Sequence, residues 1–206
     1  VKSKKDGVMH FVTEDGSRVA KGGTIANIYE NESASITVTQ IASIKDEGDK
    51  QSGHYQITNC LGPKVVSAFN RHPNGKCDGR TNIYFIQSED WGETWTTVDG
   101  KPIELPLTTR YNDALVRDYQ SQGRNCYIKD VNFDENGNPV ILYLTSDNHI
   151  TGPEGGIRKW HTLHWNGKEW IESQFTTSTH CYDSGSIWTD GNTWTVLIPS
   201  DEGPQK

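Results

Sequence analysis

The chain has 206 residues, 33% of them hydrophobic, and a formal net charge of -7 at pH 7. An acidic balance of this size argues against nucleic acid or an anionic membrane surface as the main partner. The sequence also has no run of about 18 apolar residues, the length that predicts a membrane-spanning helix, so we expect no membrane partner. Its 20 glycines and 7 tryptophans, with little helical periodicity, favour an all-β protein.

The four cysteines, Cys60, Cys77, Cys126 and Cys181, have no metal-binding spacing such as Cys-x-x-Cys. They leave the number of disulfides open, and the sequence indicates neither a metal nor another cofactor. Residues 1–5 do not form a signal peptide, so we expect the chain to be a mature or trimmed segment.

Two strands are predicted near the N-terminus, at residues 8–12 and 35–41, the second with alternating apolar and polar residues. From residue 53 onward a repeat is visible. Its three copies open at residues 53–58, 125–130 and 180–185, and each continues through a turn into an apolar strand at residues 65–69, 140–144 and 194–198. Tyr55, Tyr127 and Tyr182 hold equivalent positions, and the spacing between them suits four short strands with loops.

Two hairpin turns are predicted between further strands. Asn166-Gly167 joins residues 159–165 to residues 169–175 and is a pair typical of tight turns. The other turn has the sequence Ser-Glu-Asp-Trp-Gly-Glu-Thr-Trp and lies between strand-like runs at 81–87 and 96–98. Its Asp can accept backbone N–H bonds, its Gly supplies a positive φ, and its hydroxyls can close the loop. We therefore predict a structural role, and no catalytic one, for Ser88, Asp90, Gly92, Thr94 and Trp95.

The spacing Ser-x-Asp-x-Gly-x-Thr-Trp resembles the Asp-box, or BNR repeat, of sialidase-like β-propellers. Stretches at residues 69–73, 80–84, 99–107, 152–156 and 203–205 are similar to those of BNR-4 type proteins. The resemblance covers about residues 53–206 and implies an all-β fold, a β-propeller of four-stranded antiparallel blades. Within a single domain of residues 1–206, blades are expected at about residues 53–109 and 125–178, with part-blades at 1–52 and 179–206.

The blade count predicts that this chain holds only part of a propeller, because a closed ring typically has about 4–8 blades. Either the chain belongs to a longer protein, or the rest of the ring comes from elsewhere. The family resemblance also implies a secreted or periplasmic location.

The candidate site follows from propeller geometry, in which each first strand starts, and each second strand ends, on the same face. His54 starts a first strand and His72 ends the strand paired with it, so antiparallel pairing should bring both to one funnel mouth. Equivalent positions in the other copies carry polar residues: Arg124, Asn125, Tyr127, Asp147, His180, Tyr182, Asp183 and Asp201.

The resemblance extends to chemistry, because characterised relatives of the BNR-4 type include ulvan lyases and rhamnosyl-glucuronate lyases or hydrolases. In the lyases a pair of His residues shares the site with a Tyr and an Arg, and His54 and His72 match that pair. Three residues compete for the Tyr position, Tyr119, Tyr127 and Tyr182, and two for the Arg position, Arg124 and Arg158. We predict four catalytic residues, His54, His72, Tyr127 and Arg124, and four substrate-binding residues, His180, Tyr182, Arg71 and Arg158.

These residue types suit β-elimination from a uronate polysaccharide. Arg or protonated His can neutralise the carboxylate, which makes the C5 proton acidic, and His or Tyr can then exchange protons with C5 and the leaving O4. The predicted function is therefore the degradation of an anionic, uronate-containing polysaccharide or oligosaccharide. Two alternatives stay open: a sialidase-like glycoside hydrolase with a Tyr nucleophile, and a non-catalytic glycan-binding propeller.

Overall fold

A computed structural model describes residues 8–11, 26–29, 38–191 and 193–199. The chain divides into two compact units, residues 1–39 and 40–206, and the predicted part-blade 1–52 falls across this division. In the first unit, strands β1 (Val8–Phe11) and β2 (Ala26–Tyr29) pair antiparallel, so β1 matches most of the strand predicted at 8–12.

The strand predicted at residues 35–41 is not found where the structure describes this stretch. Residues 35–37 lie outside the described residues, and residues 38–41 have no strand conformation. The strand β3 (Ala42–Lys45) begins just afterwards and belongs to the second unit. It pairs in parallel with β7 (Leu107–Thr109), beside the first sheet.

The first sheet of the second unit has four antiparallel strands in the order β4-β5-β6-β8. They are β4 (Gln56–Leu61), β5 (Lys64–Arg71), β6 (Thr81–Ser88) and β8 (Leu115–Arg117). The 3-10 helices Pro73–Gly75 and Gln120–Gln122 precede β6 and follow β8. The last strand of this sheet was predicted at residues 96–98, but Thr96 makes only isolated bridges, with Gln87 and Pro102, and β8 takes that place.

The second sheet is a meander of four antiparallel strands, and the third sheet, which follows it, is a two-stranded hairpin. The strands of the second sheet are β9 (Asn125–Phe133), β10 (Pro139–Ser146), β11 (Arg158–Trp165) and β12 (Trp170–Ser178), with the 3-10 helix Pro153–Gly155 before β11. The hairpin consists of β13 (Ser186–Asp190) and β14 (Thr193–Leu197). Residues 180–185, predicted to open the third copy of the repeat, therefore precede its first strand.

Strand β10 shows how the sheets pack, because both of its faces are buried. Ile141 and Tyr143 join a core with residues of the first sheet such as Phe85. The alternating Leu142 and Leu144 join a second core with residues of β13 and β14, because successive side chains of a strand point to opposite faces. The three sheets are therefore stacked face to face, as the blades of a propeller are. The predicted all-β fold class is confirmed, and none of the helices in the described part of the chain could cross a membrane.

An equivalent hydrogen bond links the first strand of each sheet to the first strand of the next sheet. The Asn59 side-chain amide of β4 donates to the Val131 carbonyl oxygen of β9 over 2.9 Å. The Asn132 amide of β9 donates to the Ile187 carbonyl oxygen of β13 over 2.8 Å. Each bond satisfies a backbone acceptor that its own strand leaves available, and each fixes the distance between neighbouring sheets.

Candidate functional site

Several strand ends meet at one edge of the first two sheets. Strand β5 ends where β6 begins, because Arg71 and Thr81 are paired. The His72 N–H donates to the Gly53 carbonyl oxygen over 2.7 Å, and the Cys126 N–H donates to the Arg80 carbonyl oxygen over 3.1 Å. Residues just before β4, just after β5, just before β6 and at the start of β9 therefore share this edge, which we call the rim.

Arg80 lies at the centre of the rim and is only 8% exposed. Its guanidinium carbon is 4.5 Å from the ring centroid of Tyr55, 4.9 Å from that of Tyr127 and 5.2 Å from that of Tyr182. These are the three tyrosines that hold equivalent positions in the sequence repeat: Tyr127 lies in the first strand of the second sheet, and Tyr55 and Tyr182 precede the first strands of the first and third sheets. Aromatic rings at such distances stabilise a cation through their negative faces.

The charge of Arg80 has no counter-ion among the described residues. Its Nε donates to the Cys77 carbonyl oxygen over 2.8 Å, and no described carboxylate lies within 4.0 Å of its nitrogens. A buried cation without a carboxylate partner favours the binding of an anion. We call Tyr55, His72, Arg80, Tyr127 and Tyr182 the Arg80 cluster.

His72 is a neutral imidazole beside this cation. It is 4% exposed, and its ring packs edge-to-face on Tyr55 with 4.7 Å between centroids. Burial, followed by the charges of Arg80 and His54, lowers the pKa of His72 from 6.5 to about 4. Its buried Nε2 has no hydrogen-bond partner among the described residues. A neutral ring with a free nitrogen can accept a proton, which is the requirement for a general base.

The two tyrosines of the later sheets differ in exposure. Tyr182 is 41% exposed, whereas Tyr127 is fully buried. The Tyr127 hydroxyl donates to the backbone carbonyl of Asp78 over 2.8 Å, and burial raises its pKa. The Tyr182 hydroxyl donates to the carboxylate of the same Asp78. Of these two tyrosines, Tyr182 is therefore the one that a ligand can reach, whereas Tyr127 was predicted to be catalytic.

The remaining predicted histidines also lie at the rim. His54 is half-buried and packs against Phe69, and its charge influences His72. The Nδ1 of His180 accepts the Tyr182 N–H over 3.1 Å. The structure thus brings His54, His72, His180 and Tyr182 to one edge.

A second cation, Lys129 of β9, lies behind Tyr127. Its Nζ is 5.8 Å from the Tyr127 ring centroid and donates to the Cys181 carbonyl oxygen over 2.7 Å. Burial, and then the charge of Arg80, lowers the Lys129 pKa to about 8. The lysine therefore fixes the segment that carries Tyr182 and adds to the positive potential of the rim.

Arg71 and Arg158 do not present their guanidinium groups to a ligand in this structure, in contrast to the predicted role in substrate binding. Both side chains are fully buried. Arg71 is paired with Asp49 and donates to the Gln120 side-chain oxygen over 2.5 Å. Arg158 donates to the Cys181 sulfur over 2.9 Å and to three backbone carbonyl oxygens. Both arginines use their donors to hold loops in place.

The side-chain contacts of Arg124, predicted as catalytic, are with residues outside the Arg80 cluster. Its NH2 nitrogen donates to the Thr145 hydroxyl over 2.7 Å, and its Nε lies 3.4 Å from an Asp147 carboxylate oxygen. Its guanidinium carbon is 5.5 Å from the ring centroid of Tyr119. The cationic role at the rim therefore falls to Arg80, which the sequence analysis placed only within a family motif.

The turn at residues 88–95 lies at the other end of β6 from Arg80. The Asp90 carboxylate accepts hydrogen bonds from the Ser88 hydroxyl over 2.7 Å, the Thr94 N–H over 2.9 Å and the Thr94 hydroxyl over 2.6 Å. The bonds from Ser88 and then Thr94 lower the Asp90 pKa to about 2. Gly92 adopts φ 92°, and its carbonyl oxygen accepts the Trp95 indole N–H over 3.1 Å. Every one of these contacts is internal to the turn.

No metal site is evident: among the described residues, no group of three or more His, Cys, Asp or Glu side chains could hold a metal ion. The rim brings together the buried cation Arg80, the neutral imidazole of His72 and the exposed phenols of Tyr55 and Tyr182.

The stacked sheets and their common rim define the class of protein, a β-propeller of which this chain forms a part. The fold is shared with two solved structures of PL25 ulvan lyases. One, bound to -[GlcA(1-4)Rha3S]-, matches with a TM-score of 0.66 and 16% identity, over 86% of this chain and 43% of its own. The other has a TM-score of 0.65 and 15% identity, over 85% of this chain and 43% of its own. This chain thus spans less than half the length of those structures, and the likeness concerns the fold alone.

The sequence matches the model of the BNR-4 family, described as BNR repeat-containing family member, over residues 2–178. The chain therefore belongs to this family, as the motifs predicted. A search of curated proteins found no match.

Proposed function

We propose that the protein degrades an anionic, uronate-containing polysaccharide by β-elimination at the Arg80 cluster. The observation that carries this proposal is the buried Arg80, which has no described carboxylate partner and lies next to the neutral His72. The ulvan lyases that share the fold support the same class of substrate. Because this chain spans 43% of their length, the proposal concerns the whole protein to which the rim belongs.

Each group of the cluster has one task in this reaction. Arg80 binds the uronate carboxylate and neutralises its charge, so that the electrons left at C5 are stabilised. His72 takes the C5 proton through its free Nε2. The electron pair of the C5–H bond forms the C4=C5 double bond, and the C4–O4 bond breaks. Tyr182 donates its phenol proton to the leaving O4.

The products are an unsaturated uronate end and a free hydroxyl on the departing sugar. After one turnover His72 carries an additional proton and Tyr182 lacks one, so exchange with water restores both groups. Tyr55 and Tyr127 keep Arg80 in place through their ring faces.

Hydrolysis is the second candidate, and one contact favours it. The Tyr182 hydroxyl is bonded to the Asp78 carboxylate, an arrangement in which a base could activate a tyrosine nucleophile. Elimination leaves a conjugated double bond that absorbs ultraviolet light, whereas hydrolysis releases only new reducing ends. The two reactions are therefore distinguished by recording both signals on the same digest.

The test uses the whole protein with a panel of uronate polysaccharides. Wild type should raise both the ultraviolet absorbance and the number of reducing ends. Arg80→Met should lower kcat/KM by about 10²–10³-fold, the effect of removing a group that stabilises transition-state charge. His72→Gln should lower it by about 10²-fold or more.

Lys101→Met is the matched control, because it removes one positive charge from a side chain that is 59% exposed and lies outside the Arg80 cluster. It should retain wild-type activity. The proposal would be contradicted if Arg80→Met kept wild-type turnover, or if digestion produced reducing ends without ultraviolet absorbance.

A further inference from the structure

The loop at residues 77–80 holds three members of the Arg80 cluster at once. The Cys77 carbonyl accepts the Arg80 Nε–H, the Asp78 carbonyl accepts the Tyr127 hydroxyl, and the Asp78 carboxylate accepts the Tyr182 hydroxyl. Asp78 thus reaches the cluster through its side chain as well as its backbone carbonyl.

Asp78 supplies the carboxylate that accepts the hydrogen bond of the Tyr182 hydroxyl. Tyr182 belongs to the segment between β12 and β13, 104 residues after Asp78, and its side chain is 41% exposed. Its ring has three neighbours: the Arg80 guanidinium carbon lies 5.2 Å from its centroid, and the Tyr127 and His180 centroids lie 6.3 Å and 5.9 Å away. An exposed aromatic side chain without a polar contact at its tip samples several rotamers, which would displace the hydroxyl from a bound sugar.

We propose that Asp78 is a positioning residue whose carboxylate holds the Tyr182 hydroxyl above Arg80 as the proton donor of the site. The role of Tyr182 as proton donor rests on the proposed function, whereas the hydrogen bond from its hydroxyl to Asp78 does not depend on any substrate. The inference extends the site by a residue of the loop before β6 that acts only through a residue of the segment before β13.

The electrostatics of the contact have a definite sign. A carboxylate that accepts a hydrogen bond stabilises the neutral phenol, so the bond to Asp78 raises the pKa of Tyr182. Arg80 opposes this effect, since a nearby cation stabilises the phenolate. The charged or titratable groups that face Tyr182 are Asp78, Arg80, Tyr127 and His180. Of these, Asp78 is the one that keeps the proton on Tyr182 as pH rises.

The first test needs no substrate. Tyrosine residues are labelled with ¹³C at the ring carbon that bears the hydroxyl, and Tyr182→Phe identifies the Tyr182 signal in the NMR spectrum. In Asp78→Asn the Tyr182 signal should titrate at lower pH than in wild type, because the acceptor has lost its charge. The control Asp113→Asn removes a carboxylate that pairs with Lys101 on the surface and should leave the Tyr182 titration unchanged.

The second test follows turnover against pH. Asp78→Asn should lower kcat by about tenfold or more and move the alkaline limb of the rate profile to lower pH, with a smaller change in KM. In the Tyr182→Phe background the same substitution should cost nothing further, because the residue through which Asp78 acts is already inactive. Asp78→Ala provides a second variant if the Asn side chain rearranges the loop.

The outcomes separate the inference from the proposed function. An unchanged Tyr182 titration in both Asp78 variants would overturn the inference, whatever the activity of the protein. If wild type yields no unsaturated product from any uronate polysaccharide, the proposed function fails, while a shifted titration still supports the positioning contact. An additive loss of activity in the double variant would show that Asp78 does not act through Tyr182.

Discussion

Acidification should destabilise this protein through His72. Burial, with the charges of Arg80 and His54, lowers the pKa of His72 from 6.5 to about 4. Between these two values the unfolded chain binds a proton that the folded protein does not, so stability is complete above pH 6.5 and falls as the pH approaches 4. At about 1.4 kcal/mol per pH unit, the loss is about 3 kcal/mol, a large share of the stability of an ordinary domain.

Urea unfolding at pH values above 6.5 and near 4 measures this loss. Other groups of wild type also respond to acid. The contribution of His72 is therefore the loss of unfolding free energy in wild type minus the loss in His72→Gln. The variant should lose about 3 kcal/mol less than wild type over the same pH interval. The matched control is His149→Gln, because His149 is exposed on the loop after β10 and makes no contact with the Arg80 cluster.

The ring of His72 can also be followed directly by NMR. Its C–H resonances should remain those of a neutral imidazole until the pH approaches 4. If they titrate near 6.5 instead, the ring is not held neutral by burial and by Arg80, and the assignment of His72 as the base loses its physical support. Because the base must be unprotonated to act, kcat/KM should fall in acid as the pH approaches 4.

Three further predictions concern the framework. Asp90→Ala should lower the melting temperature and leave the activity per folded molecule unchanged; a folded variant without turnover would contradict the structural role. Asn132→Ala should cost about 1–3 kcal/mol in urea unfolding, because the Ile187 carbonyl loses its partner between sheets, and a loss below that range would mean that water replaces the bond. His161, whose Nδ1 lies 3.1 Å from a Glu172 carboxylate oxygen, lowers the Glu172 pKa from 4.5 to about 2, so stability should fall as pH drops through that interval, and less so in Glu172→Gln.

The architecture could be predicted because strand pairs and their turns leave local signals. The apolar runs at 65–69 and 140–144 became the buried strands β5 and β10, and the Asn166-Gly167 turn joins β11 and β12. The fourth strand of the first sheet could not be located in this way. Residues 96–98 and 115–117 are equally short, and the choice between them depends on which one the long loop brings to β6.

The roles of Arg71 and Arg158 could not be predicted from the sequence. The partners of Arg71 are distant along the chain, and those of Arg158 are mostly backbone carbonyl oxygens. Arg71 follows Asn70 on β5 and precedes His72, and neighbouring side chains of an extended chain point to opposite sides. A residue next to a site histidine therefore faces away from it, here toward the carboxylates of Asp46 and Asp49. The carbonyl oxygens that hold Arg158 carry no signal in the sequence at all.

The tyrosines of the repeat show how the missed cation could have been found. Tyr55, Tyr127 and Tyr182 were aligned as equivalent positions of three blades, and equivalent positions of a propeller converge toward a common axis. A cation placed between three converging aromatic rings is attracted to their negative faces. Arg80 immediately precedes β6, whose start lies beside the end of β5 and hence beside His72. When the pairing of β5 with β6 is considered as well as that of β4 with β5, Arg80 is placed between the three tyrosine rings.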